Sequence, residues 1–344
     1  MSRPSSGAIE VPHPRATTVL FGHAEAEQTL LADYRGGRVA QAWLIGGPPG
    51  IGKATLAYRM ARFALAHPNP AAPEVARASS LAVPPDSPAA RRIAGRSHPD
   101  LLVLERSVND NGQLRTVITV DEVRRTVGFF GSTAGEGGWR VCIVDAADEL
   151  KNPEGSNALL KVLEEPPPRS LFLVVSHAPG RLLPTIRSRC RRLALRPLGE
   201  EDIVSAAMAA LGSEADETAL RAAAAAADGS VARAIALCGG PQLALRDKVV
   251  ALLDRLPATD PRALHALGES LDRGEDDLFD VFIETARNWL SARLDRTTDP
   301  ARLARVTDAW DQLNRAARET ETYNLERKPL VFNVFGLLAE AAGG

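Results

Sequence analysis

The spacing of apolar positions divides the chain into a half where short apolar runs alternate with amphipathic stretches and a half that is amphipathic throughout. Ala42-Trp43-Leu44-Ile45 is a compact apolar run ending at a glycine-rich loop, which predicts a buried strand. After Lys53, the positions Leu56, Met60, Phe63 and Ala64 recur at helical spacing. Leu101–Leu104 predicts a second strand and Val141-Cys142-Ile143-Val144 a third, ending at Asp145. Leu171–Val175 predicts a fourth and Leu193–Leu195 a fifth. Between them, Thr119 with Glu122 three residues on reads as the capped start of a helix. A further helix over Ser156–Glu164 is closed by Pro166-Pro167-Pro168. Strands alternating with helices predict an α/β fold, a parallel sheet with helices on both faces.

From Pro197 onward the strand signal ends. Glu200–Leu211, Glu214–Ala227 and Ser230–Leu237 predict three short helices punctuated by Gly212 and Gly229. Beyond Gly239-Gly240-Pro241 the pattern stays helical, with Leu303, Val306, Trp310, Leu313 and Ala317 on one face of a long helix. The predicted organisation is a core over residues 1–198, a small helical lid over 199–242 and an all-helical domain over 243–344. Residues 1–18, polar and Pro-rich, read as a mobile tail. Residues 67–99, rich in Pro, Ala and Ser with Arg91, Arg92 and Arg96, read as a poorly packed connection or a short module.

Composition narrows the picture. The 344 residues are 45% hydrophobic, enough for real cores, and the formal charge of −2 exerts no global pull toward nucleic acid or an anionic membrane. Three scattered cysteines, Cys142, Cys190 and Cys238, argue against a disulfide framework and fit a reducing cytoplasm. We read no signal peptide in residues 1–18, and no run approaches the ~20 apolar residues of a membrane span.

The candidate chemistry begins at Gly47-Pro48-Pro49-Gly50-Ile51-Gly52-Lys53-Ala54. The pattern G-x-x-x-x-G-K-[ST] cradles phosphates with backbone N–H groups and a lysine, while the hydroxyl holds Mg²⁺. Strand, loop and helix stand in the right order, but the hydroxyl position is Ala54, which has no lone pair to give. Thr55 follows, yet one step along a helix turns a side chain by ~100°, so it is expected to pack or bond locally. Asp145 at a strand tip is where such folds place a carboxylate near the metal. The following position, where a water-orienting Glu is expected, is Ala146. A general base is worth about 10²–10⁴ in rate, so the two losses predict negligible intrinsic hydrolysis. Asp148 and Glu149 read as charges on a solvated helix start. Arg189, within Ser188-Arg189-Cys190, sits in an arginine-rich stretch with Arg187, Arg191, Arg192 and Arg196. By residues alone it fits either a solvated basic face with internal ion pairs or a finger reaching a neighbour's phosphate. A finger supplied in trans is worth about 10³–10⁵ in turnover.

Gly47–Ala54, Val141–Asp145, the block Ser156-Asn157-Ala158-Leu159-Leu160-Lys161-Val162-Leu163-Glu164-Glu165-Pro166-Pro167 and Ser188-Arg189-Cys190 together resemble the clamp-loader family of bacterial DNA polymerase III. Within it, the chain is most similar to the delta-prime type, which lacks working ATPase residues. The resemblance covers essentially the whole chain and implies a AAA+ P-loop core, a helical lid and a helical collar. It implies a non-motor ring subunit whose Arg189 serves the ATP site of an adjacent gamma/tau-type subunit. The implied partners are gamma/tau, delta, the sliding clamp and primed DNA, as part of a nucleotidyltransferase holoenzyme. Nucleotide binding at Gly47–Thr55 and Asp145 without hydrolysis stays open. Three departures matter. The four-cysteine zinc module of many members has no counterpart before His98, so no zinc is expected. The arginine after Gly229-Ser230 comes one position late, as Arg233, which disfavours a competent ATP site. The glycine loop is better preserved than a pure scaffold requires. The alternatives are a gamma/tau-type ATP-hydrolysing motor, favoured by Lys53, and a small-molecule kinase, disfavoured by the helical second half.

Overall fold

The computed structural model describes residues 12–342, apart from 38, 110, 111, 113, 132–134, 136, 137, 213, 214, 239, 240, 273–275, 295–298 and 324. The chain forms two compact units, Met1–Ile235 and Ala236–Gly344.

The first unit is built on five parallel strands, β1 (Ala42–Gly46), β2 (Leu101–Leu104), β3 (Arg140–Val144), β4 (Ser170–Ser176) and β5 (Arg191–Ala194), in the order β2-β3-β4-β1-β5. The three inner strands are buried at every position, which is why they read as unbroken apolar runs. Edge strand β5 buries only Leu193. On one face, Trp43 and Ile45 pack with α1 (Ala24–Arg35) and α2 (Lys53–Ala66). On the other, Leu44 and Phe172 pack with α5 (Val120–Gly131), α6 (Glu154–Glu164) and α7 (Pro184–Arg189). The predicted capping box opens α5: the Glu122 amide donates to Thr119 Oγ1 at 3.4 Å and Glu122 Oε2 accepts from the Thr119 amide at 2.8 Å. Three helices follow the sheet, α8 (Glu200–Leu211), α9 (Glu217–Ala225) and α10 (Val231–Leu237), around a small cluster of Leu198, Ile203, Val204, Ala224 and Ala234. Helix α9 starts at Glu217, three residues later than expected, because Asp216 caps it through the Thr218 and Ala219 amides.

Two expectations are corrected. Residues 67–99 are packed: Val75 and Ile93, on short helices α3 (Pro73–Arg77) and α4 (Pro88–Ala94), and Leu81 between them are buried in the α1–α2 face of the core. Isolated apolar residues among prolines leave no periodicity to read, yet each one fills a site. Of the presumed tail, residues 1–11 lie outside the described residues, but 12–18 are tied down. Arg62 Nη2 donates to the carbonyls of Arg15 at 3.0 Å and Thr17 at 3.3 Å, and Arg59 Nη1 donates to that of Thr18. Arg59 also pairs with Glu27 Oε1 at 2.6 Å, and the same oxygen accepts from the Leu81 amide at 3.2 Å. One buried carboxylate thus fastens α1, α2 and the 67–99 segment together.

The second unit contains α11 (Pro241–Leu253), α12 (Pro261–Asp272), α13 (Asp276–Leu294), α14 (Pro300–Tyr323) and α15 (Arg327–Ala342). Its core includes Leu253, Phe282, Leu290, Leu313 and Phe335. Val306, Leu313 and Ala317 of the face predicted from the sequence are buried. The Asp272 carboxylate accepts from the Arg327 amide at 2.7 Å and so caps α15 from α12. Among the described residues, no helix is long and apolar enough to cross a membrane.

Candidate functional site

The glycine loop connects β1 to α2, at the C-terminal ends of the strands. Gly50 has φ +74°, and a Cβ added there would lie 2.1 Å from Ser230 Oγ and 2.9 Å from Ala232 Cβ. The Ala232 amide donates to the Gly50 carbonyl at 3.3 Å, so the start of α10 rests on the loop. His23 Nε2 lies 2.6 Å from the Ile51 carbonyl. A carbonyl only accepts, so Nε2 carries the proton, and burial lowers the pKa of this ring.

Lys53 is 3% exposed, and its Nζ donates to the Pro48 carbonyl within the loop. Burial pushes its ammonium down to about 8, opposed by the nearby carboxylates of Asp145 and Asp148. Asp145, at the tip of β3, has its pKa raised by burial and then by Glu105, with Lys53 pulling the other way. Ala54 and Ala146 bring no oxygen to this space. Arg233 turns to Asp228, its Nη1 2.8 Å from Oδ2.

Two cavities meet at Asp145 and His177. One, of about 420 Å³, is lined by Gly50–Thr55, by Leu198 just before α8, and by apolar residues of the 12–21 segment, α8 and α10, including Leu20, Ala209, Val231 and Ile235. Its lining is largely apolar, with the loop and Lys53 forming part of its wall. The other, of about 860 Å³, is lined by His13, Arg96, Glu105, Arg106, Glu149 and others. The structure thus brings Gly50–Thr55 and Asp145 to the wall of one cavity, while Gly47, Pro48 and Pro49 are not among its lining residues. Arg189 stands apart on α7, where its Nη2 meets Glu164 Oε1 at 2.7 Å and its Nη1 donates to the Thr185 carbonyl at 3.1 Å.

Asp148 corrects the reading of a solvated helix start. Its carboxylate accepts from Ser176 Oγ at 2.9 Å and from the amides of His177 at 2.6 Å and Ala178 at 3.0 Å. It clamps the end of β4 beside the loop. Glu149 pairs with Arg106 at 3.0 Å. His177, which the sequence did not single out, lines both cavities; burial and then Lys53 lower its pKa. Its only sequence signal was its place just past a strand.

A family described as DNA polymerase III, delta subunit, matches residues 22–199, which hold the sheet, the glycine loop, Asp145 and Arg189. The chain belongs to that family. It is 39% identical over 165 residues to the delta-prime subunit of DNA polymerase III from Pseudomonas aeruginosa, covering 47% of this chain and 46% of that protein. It is 32% identical over 179 residues to the delta-prime subunit of Escherichia coli, covering 52% and 49%. Similarity to the gamma/tau subunit of Mycobacterium tuberculosis is 29% over 324 residues, 86% of this chain and 51% of that protein. The matches span about half the length of these relatives. For this member of the delta-subunit family, the matched half holds the loop, Asp145 and Arg189.

Proposed function

We propose that the chain is a non-motor, delta-prime-type subunit of a DNA polymerase III clamp loader, lending Arg189 to the ATP site of an adjacent gamma/tau-type subunit. The observation that carries this is the state of its own site. The metal-hydroxyl and water-orienting positions are Ala54 and Ala146, Lys53 bonds a loop carbonyl, and Arg233 is engaged by Asp228. The 420 Å³ cavity, with apolar residues and Lys53 in its lining, would take an adenine nucleotide, its phosphates toward Lys53. It would bind there without being turned over. In trans, the guanidinium of Arg189 would face the charge building on a neighbour's γ-phosphate, a contribution of about 10³–10⁵ in turnover. The delta subunit, the sliding clamp and primed DNA enter as partners of the assembled ring, in cytoplasmic replication.

A gamma/tau-type motor is the second reading, favoured by the similarity to gamma/tau over 86% of this chain. One experiment separates the two. The purified chain with Mg-ATP should turn over at background. The ring reconstituted with gamma/tau-type subunits should lose most of its ATP turnover on Arg189→Ala. Robust hydrolysis by the isolated chain would establish the motor reading, and a ring indifferent to Arg189→Ala would remove the finger.

A further inference from the structure

We infer that Glu164 is a latch that holds Arg189 within its own subunit until a neighbour's phosphate displaces it. The inference rests on Arg189 serving a neighbouring site. Glu164 is the last residue of α6, and Arg189 is the last of α7, packed beside it. Both terminal nitrogens of the guanidinium are engaged: Nη2 with Glu164 Oε1 at 2.7 Å, Nη1 with the Thr185 carbonyl at 3.1 Å. An arginine neutralised by a carboxylate cannot present its full charge to a phosphate, so the pair must open before the finger works.

Glu164 has no helical reason to be there. A carboxylate in the last turn of a helix faces the negative end of the dipole, whereas Arg189 suits the end of α7. Among the described residues Arg189 is its one polar partner. The two side chains are 49% and 34% exposed, so the pair is weak and solvent-screened. Such a bond is strong enough to bias an arginine's position and weak enough to yield to a multiply charged triphosphate. Glu164, half exposed at a helix end, has room to swing away and avoid repelling the incoming phosphate. Glu164 is therefore a positioning residue that acts through Arg189.

The test uses the reconstituted ring, with this chain below saturation and ATP turnover as the readout. Glu164→Gln keeps shape but removes the charge, and should raise turnover by about 1.5- to 5-fold in low salt, the range an exposed ion pair can supply. The gain should shrink as salt screens the wild-type pair, a dependence that a merely structural role would not produce. The double variant Glu164→Gln/Arg189→Ala should fall to the level of Arg189→Ala alone. Glu164→Ala, with unchanged thermal melting, guards against an effect peculiar to the amide. Turnover at or below wild type in both Glu164 variants, with Arg189→Ala still damaging, would overturn the latch and leave the finger standing. A ring indifferent to Arg189→Ala would overturn the finger and the latch with it.

Discussion

Replacing Lys53 with methionine should make the isolated protein more stable, and the gain should vanish as pH rises. Lys53 is buried as a cation, and its ordinary value of 10.5 falls to about 8. At ~1.4 kcal/mol per pH unit, that gap amounts to about 3 kcal/mol of burial penalty. Between pH 8 and 10.5 the unfolded chain binds the proton and the folded chain has released it, so this residue makes stability rise with pH through that window. Below pH 8 the full penalty is present. Lys53→Met removes the charge and keeps the volume, and the lost bond to Pro48 offsets about 1 kcal/mol. The variant should therefore gain about 2 kcal/mol at pH 7. Urea unfolding of both proteins at matched pH cancels the titration of every other group. The difference should decline from pH 8, pass through zero at about pH 9.5, and leave the variant about 1 kcal/mol less stable by pH 10.5, where only the lost bond to Pro48 remains. A flat difference across that window would refute the assignment of a destabilised cation to this position. The same lysine reports on nucleotide. A triphosphate against Nζ would restore its proton, so at about pH 8.5 binding should take up about 0.7 proton. Calorimetry in two buffers of different ionisation heat measures it. Heat with no proton uptake would mean that the phosphates do not reach Lys53.

Two further outcomes follow from the packing around the loop. Glu27→Ala strands Arg59 in the core and frees the Leu81 amide, so it should cost about 3–5 kcal/mol by urea unfolding, and a loss under about 1 kcal/mol would mean the pair is not the fastening it looks like. Asp148→Ala removes the acceptor of three bonds at the end of β4 and should cost about 1–3 kcal/mol; a protein of unchanged midpoint would show that water replaces the clamp without loss.

The sheet was legible because β1, β3 and β4 are buried on both faces, which forces unbroken apolar runs. The loop was legible because its residues are contiguous. What escaped was non-local. The bond from Asp148 to Ser176 spans 28 residues, that from Arg59 to Glu27 spans 32, and Leu81 reaches Glu27 across 54. No periodicity encodes such pairs, and Asp148 in isolation is indistinguishable from a solvated turn residue. The 67–99 segment failed for a related reason: its core contacts are single residues, each flanked by prolines or polar positions. The Ser188-Arg189-Cys190 triplet was visible at once, but its pairing with Glu164, 25 positions earlier, had to be seen in three dimensions.

The glycine pattern itself supports less than it first suggests. Any side chain at Gly50 would strike Ser230, and a Cβ at Gly47 would lie 2.6 Å from the Leu195 carbonyl. Both positions are therefore closed to larger residues by the fit of α10 and the β5 end against the loop, whether or not a phosphate ever arrives. The loop carbonyls of Pro48, Gly50 and Ile51 are already met by Lys53, Ala232 and His23, so the loop holds its shape from within the chain. A loop so supported can outlast the chemistry it once framed, serving as the bearing on which the small helical cluster sits. The informative positions are 54 and 146: where a metal ligand and a base would be needed, the side chains are single methyl groups, that of Ala146 buried in the core. It is these two alanines, and not the glycines beside them, that would leave the proposed subunit unable to hydrolyse ATP.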